Sequence, residues 1–158
     1  MTRNHGSVRG MHPGRQRDGQ ALVEFVLVLP ILLLLVAGLL DFARAWSASH
    51  AIADATREGA RMLVVNEGSQ FADAEEMIRR RLAAARLNSD EVQVRFRVGD
   101  DSEDWVASDS GVEPAGHGVP QGVRVTYPYE FWIAGPFIGL ATGERTVSMV
   151  STITMRGE

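Results

Sequence analysis

The chain of 158 residues contains no cysteine. That excludes a disulfide framework, a thiolate nucleophile and a cysteine metal site, and leaves the redox compartment open. Lysine is absent too, and all sixteen basic residues are arginine, a bias without physical consequence for the fold. Signatures of catalysis are also missing. The histidines His5, His12, His50 and His117 are dispersed, and none stands in the zinc-binding H-E-x-x-H spacing. No G-x-S-x-G elbow, Walker loop or dinucleotide fingerprint occurs. Acid pairs such as Glu75 and Glu76 are adjacent on one helix and do not converge. An acidic loop from Asp100 has Ser102 and Asp104 at alternate positions, but Trp105 where an EF-hand needs glycine and Gly111 where it needs glutamate. The sequence therefore predicts a protein that is not an enzyme, with no catalytic residue, no cofactor and no metal site.

Positive charge is scarce outside the N-terminus. Residues 1–19 hold Arg3, Arg9, Arg15 and Arg17 against the single acid Asp18, and the formal charge of the whole chain is −4. Beyond them twelve arginines face nineteen acids, a net of −7. An acidic body without a basic face argues against nucleic acid as a partner.

Charge of either sign vanishes between Phe25 and Leu40, "FVLVLPILLLLVAGLL", and extending the run back to Ala21 adds only Glu24 as an interruption. At about 1.5 Å per residue, some twenty helical residues cover roughly 30 Å, the thickness of a bilayer's hydrocarbon core. Four arginines precede the run, and only Arg44 and Arg57 follow within about 20 residues, so the positive-inside bias places the N-terminus in the cytoplasm. A secretory signal cleaved after "ARA", Ala43 to Ala45, competes with this reading. Against it, the run is at or beyond the roughly 7–15 residues of a signal core, and the helical pattern continues past "ARA".

Glu24 is the oddity of the run. One explanation is position alone: an acid near the N-terminal end of a helix is favoured by the macrodipole. Another lies in the spacing. Gly19 precedes Gln20, and Glu24 stands fifth counting from Gln20, followed at once by Phe25 and the apolar helix. This resembles the processing site of type IV prepilin-like proteins, in which a membrane peptidase cuts after glycine on the cytoplasmic side. More closely, "GQALVEFVLVLPILLLLVAGLLDFARAW" resembles the N-terminal segment of the TadE-like pseudopilins of tight-adherence pilus systems, through Gly19, Ala21, Val23, Glu24, Phe25, Pro30, the leucine block and Gly38.

That resemblance implies a minor pseudopilin, cut between Gly19 and Gln20 and held in the bacterial inner membrane. Glu24 and Phe25 would serve processing recognition and subunit pairing, and Pro30 would be a helix kink. Glu24 would meet a neighbour's new α-amine, a buried pair of the kind that fixes register. Implied partners are the prepilin peptidase, other pilins or pseudopilins, the inner-membrane pilus assembly platform and the lipid bilayer.

The remainder reads as α+β. We expect a basic leader at 1–19, a transmembrane helix at 20–42, a helical stalk at 43–66 and an extracytoplasmic domain at 67–158. The first helix should run to about Val65, with a stripe of Ala45, Ala48, Ile52, Ala55, Gly59 and Met62 that can pack on the chain's own domain, the favoured reading, or on a partner subunit. A second helix should span about Phe71–Leu87, burying Phe71, Ala74, Ile78, Leu82 and Ala85 and exposing Arg79 to Arg81. Three strands, "EVQVRFRV", "GVRVTYPYEF" and "RTVSMVSTITM", alternate apolar and polar residues. Pro128 suggests an edge or a strand end for the second. The connection "FWIAGPFIGLATG", Phe131 to Gly143, is apolar enough either to fold over the core or to form a docking patch.

Overall fold

The computed structural model describes residues 14–66, 69–99, 104–116 and 118–157. Most of the basic leader and part of the acidic loop at Asp100 lie outside them. The first helix, α1, runs from Gly14 to Val65, so the last residues of the leader are helical. It continues through Pro30, whose missing N–H leaves the carbonyl of Val26 without its intrahelical donor. The chain divides into two compact units, residues 1–39 and 40–158.

In the first unit the described residues form helix alone, and its large apolar side chains other than Leu29 are open. A side-chain carbon added at Gly19 or Gly38 would meet nothing within 4 Å. This helix is long and apolar enough to cross a membrane.

The second unit is the α+β head. After α1 come α2 (Phe71–Ala84), a 3-10 turn (Ser89–Glu91), β1 (Gln93–Val98), β2 (Pro120–Glu130), α3 (Gly135–Thr142) and β3 (Thr146–Arg156). The strands make one antiparallel sheet in the order β1-β2-β3. Its inner face follows from register: Val94 opposes Val125, and Phe96 opposes Val123, which in turn opposes Ile153. Helical residues cover this face. Phe71 stacks on Phe96 with ring centroids 4.5 Å apart, and both are buried. Gly59 of α1 lets α2 come close, because a β-carbon there would fall 2.6 Å from Ile78 Cδ1. Of the predicted stripe, Ala45, Ala48, Ile52, Ala55 and Gly59 are buried and pack on the chain's own domain, Met62 is only half-buried, and Thr56, Ala60 and Leu63 join them.

Pro128 stands in the central strand, and the pairing explains why it is tolerated. Phe96 exchanges both backbone hydrogen bonds with Val106, on the side away from β2. The groups of β2 that point at β1 therefore belong to Gly122, Arg124 and Thr126. Pro128 is next in that series, but β1 ends opposite Thr126, so no partner lacks a donor. Helix α2 stops at Ala84, before Ala85 and Leu87, and Ala85 is exposed. The Asp73 carboxylate accepts the Gln70 N–H at 2.9 Å and closes its first turn.

Candidate functional site

Gly19, Gln20, Glu24, Phe25 and Pro30 all lie on α1, and all are exposed. Gln20 and Glu24 are four residues apart, one helical turn or about 6 Å of rise, and share a face. No described residue gives the Glu24 carboxylate a hydrogen bond or an ion pair within the chain. Around it Leu22, Val23, Phe25, Val26 and Leu27 are 57–69% exposed, an apolar surface with no protein cover in the single chain. Within a bilayer, a carboxylate there would need either the interface or a cation from another molecule.

A second cluster lies at the far end of the apolar run and was not predicted. Asp41, the first residue after it, is only 3% exposed. Its carboxylate accepts three backbone N–H groups that lead into α3: Trp132 at 3.1 Å on Oδ1, and Ile133 at 2.7 Å and Ala134 at 3.1 Å on Oδ2. Arg44, one turn on, lays its guanidinium 4.2 Å from the centre of the Trp132 ring. Tyr129 is buried beside this group, and its hydroxyl has no hydrogen-bond partner among the described residues. Burial raises the pKa of the phenol; Arg44 pulls it down, Asp41 and Tyr127 push it up, and the balance is a raised value. Leu40, Ala43, Arg44, Ser47, Trp132 and Ile133 line a groove of about 520 Å³ here, with Asp41 at its wall. The sequence carries the two halves separately, a lone acid closing the run and, far along the chain, a chargeless, aromatic-rich connection, with nothing local to join them.

At the other end of the head, Gln121 is buried and its amide donates to the carbonyls of Ala115 at 2.8 Å and Leu63 at 3.4 Å. Asp41 holds residues 132–134 and Leu63 meets Gln121, so the head's part of α1 and strand β2 run in opposite directions. The lengths agree: 22 helical residues rise about 33 Å, and eleven extended residues cover about 36 Å. The connection between β2 and β3 therefore lies at the end of the head from which the apolar run departs.

The predicted loop at 131–143 contains α3. Phe131 packs on the core, edge-on to Tyr129 at 5.0 Å between centroids, whereas Trp132 and Leu140 face outward. The expected solvated arginine triplet also divides. Arg79 is half-buried and donates to Glu75, to the carbonyl of Ser89 and, at 3.1 Å, to that of Val92. The sheet's outer face gathers arginines that look scattered along the chain. Arg95 opposes Arg124, and the Trp105 ring lies 5.1 Å from the guanidinium of Arg97 and 4.1 Å from that of Arg124.

In a comparison with protein families, residues 19–61 match the family described as TadE-like protein. The match takes in Gly19, Gln20, Glu24, Phe25 and Pro30, the apolar run, Asp41 and much of the buried stripe. No curated protein and no solved structure matches the chain.

Proposed function

From a chain whose residues 19–61 carry the TadE-like segment, we propose that it is a minor pseudopilin, a non-enzymatic structural or assembly component of a tight-adherence pilus. The observation that carries this reading is the family match, centred on an exposed apolar helix with Glu24 at its front edge. A prepilin peptidase would cut between Gly19 and Gln20. The new α-amine and Glu24 of a neighbouring helix would pair, each offsetting the other's desolvation in lipid. Partners would be other pilins or pseudopilins and the inner-membrane assembly platform, with the N-terminus cytoplasmic and the head outside.

Release as a soluble domain by cleavage after Ala45 fits the packing poorly. Ala45 is buried, and the cut would remove Asp41 and leave three N–H groups at 132–134 without their acceptor. The test is the mature N-terminus, read by intact-mass and peptide mass spectrometry on membranes of cells with the native apparatus. We expect Gln20. A chain starting at Trp46 overturns the pseudopilin reading, and one starting at Met1 marks an uncleaved envelope protein. If Glu24→Ala alters neither processing nor pilus assembly, the pairing role is wrong.

A further inference from the structure

We propose that the connection between β2 and β3, with Trp132 and α3, is a second membrane-contacting element that rests in the headgroup layer where the apolar helix emerges. The inference depends on residues 21–40 spanning a bilayer. Its partner is the lipid surface itself.

Three observations converge on it. The first is level: Asp41 directly follows the last apolar residue of the run and grips Trp132, Ile133 and Ala134, which fixes this connection at the height where the helix leaves the hydrocarbon. The second is exposure without charge. From Phe131 to Gly143 there is no ionisable side chain. Leu140 at 89% and Trp132 at 74% are the most exposed large apolar residues described, more open than any residue of the spanning run, where the maximum is 69%. Side chains so open do not cover the core. The third is continuity. The groove under Trp132 begins at Leu40, the end of the run, and is walled by Ala43, Ile133 and Arg44. Acyl chains around Leu40 thus meet an apolar cleft without a polar gap, and the Arg44 guanidinium on the Trp132 ring stands where lipid phosphates lie. Tryptophan over arginine at the end of a span is the chemistry of the interfacial belt.

The test uses the full-length chain in vesicles of phosphatidylethanolamine and phosphatidylglycerol with single-tryptophan variants. In W46F/W105F, Trp132 alone reports. With lipids brominated high on the acyl chain we expect Trp132 emission to be clearly quenched, as for a tryptophan seated in the interfacial belt, and to resist aqueous iodide. In W46F/W132F, the remaining Trp105 on the outer sheet face should ignore the bromines. A third variant, Leu33→Trp with the three native tryptophans changed to phenylalanine, reports the span. If that tryptophan is quenched by deep bromines while Trp132 answers only to iodide, the proposal falls and the span stands. If neither is quenched by bromines, the membrane reading itself fails. If Trp132 is shielded from both quenchers and Leu140→Cys crosslinks between copies, the patch binds a second chain and the lipid proposal is overturned.

Discussion

Residues 19–40 and 41–65 belong to one helix and have opposite surfaces. In the first stretch every leucine and valine except the half-buried Leu29 is 45–69% exposed, with no polar face. In the second the buried residues after Asp41 are Ala45, Ala48, Ile52, Ala55, Thr56, Gly59, Ala60 and Leu63, mostly small, while His50, Asp54, Arg57 and Arg61 stay outside. The difference shows what each surface is matched to. Bulk on all sides suits a fluid apolar solvent that needs no shape fit. A narrow small-residue stripe suits a fixed partner, and that partner is the chain's own sheet and α2. Asp41 marks the changeover, a carboxylate buried by hydrogen bonds where the demand for lipid ends.

The sharpest way to break this comparison is to damage each side and look for crossover. Phe96→Ala removes a ring with no exposed surface and its stack on Phe71. It should cost the head about 3–5 kcal/mol, seen as an earlier denaturant midpoint of tryptophan fluorescence in detergent. Resistance of the protein to alkaline extraction from membranes should not change. Leu33→Arg should do the reverse. It adds about 2.5–3.5 kcal/mol to insertion, lowers the membrane-integrated fraction, and leaves the head's midpoint where it was. If Leu33→Arg destabilised the head, the two surfaces would not be independent.

Next in size is Asp41→Ala, which sharpens the boundary between them. It leaves three N–H groups without their acceptor. Each such group costs about 1–3 kcal/mol when it stays dry. Because Trp132 lies at the surface of the head and not in its core, relaxation should hold the total to about 2 kcal/mol. Amide exchange should accelerate over residues 131–143 and remain slow at Ile78 and Val123, whereas a uniform acceleration would mean that Asp41 supports the whole head. Asp41→Asn, which keeps one good acceptor, should fall between.

Most of the architecture was legible because it rests on periodicity. The apolar run, the end of α1 at Val65, the inward face of α2 and the alternation of all three strands follow from spacing alone. What was not legible depends on pairings between distant residues. Pro128 reads as an edge signal, and only the point where β1 stops shows why a central strand accepts it. The role of Asp41 depends on backbone groups ninety residues away. An acid at the end of a hydrophobic run looks the same whether water or buried amides receive it. For the candidate site, Gly19, Gln20, Glu24 and Phe25 stand close together in sequence and so read as a linear pattern, which falls within the family match at residues 19–61. The groove under Trp132 is built from two segments and had no such signature.

The smallest expected effect separates two neighbours that composition treats alike. Arg79 and Arg80 each pair with an acid one turn back, at 2.6 Å to Glu75 and 2.7 Å to Glu76. The second pair stands in water, with side chains 74% and 66% exposed, so solvent screening and side-chain entropy leave Arg80→Ala within about 0.5 kcal/mol of the native protein. The first pair is half-covered, and the Arg79 guanidinium also ties the carbonyls of Ser89 and Val92, pinning the turn that feeds β1. Its loss, Arg79→Ala, should cost about 1–2 kcal/mol, because carbonyls left facing a vanished donor are poorly placed to find water. Raising salt to 1 M should erase what little Arg80 contributes and leave most of the Arg79 effect, since screening weakens exposed pairs far more than covered ones. Equal effects for both would mean that the turn at residues 89–91 is held by β1 and α2 packing alone, with Arg79 only resting on it.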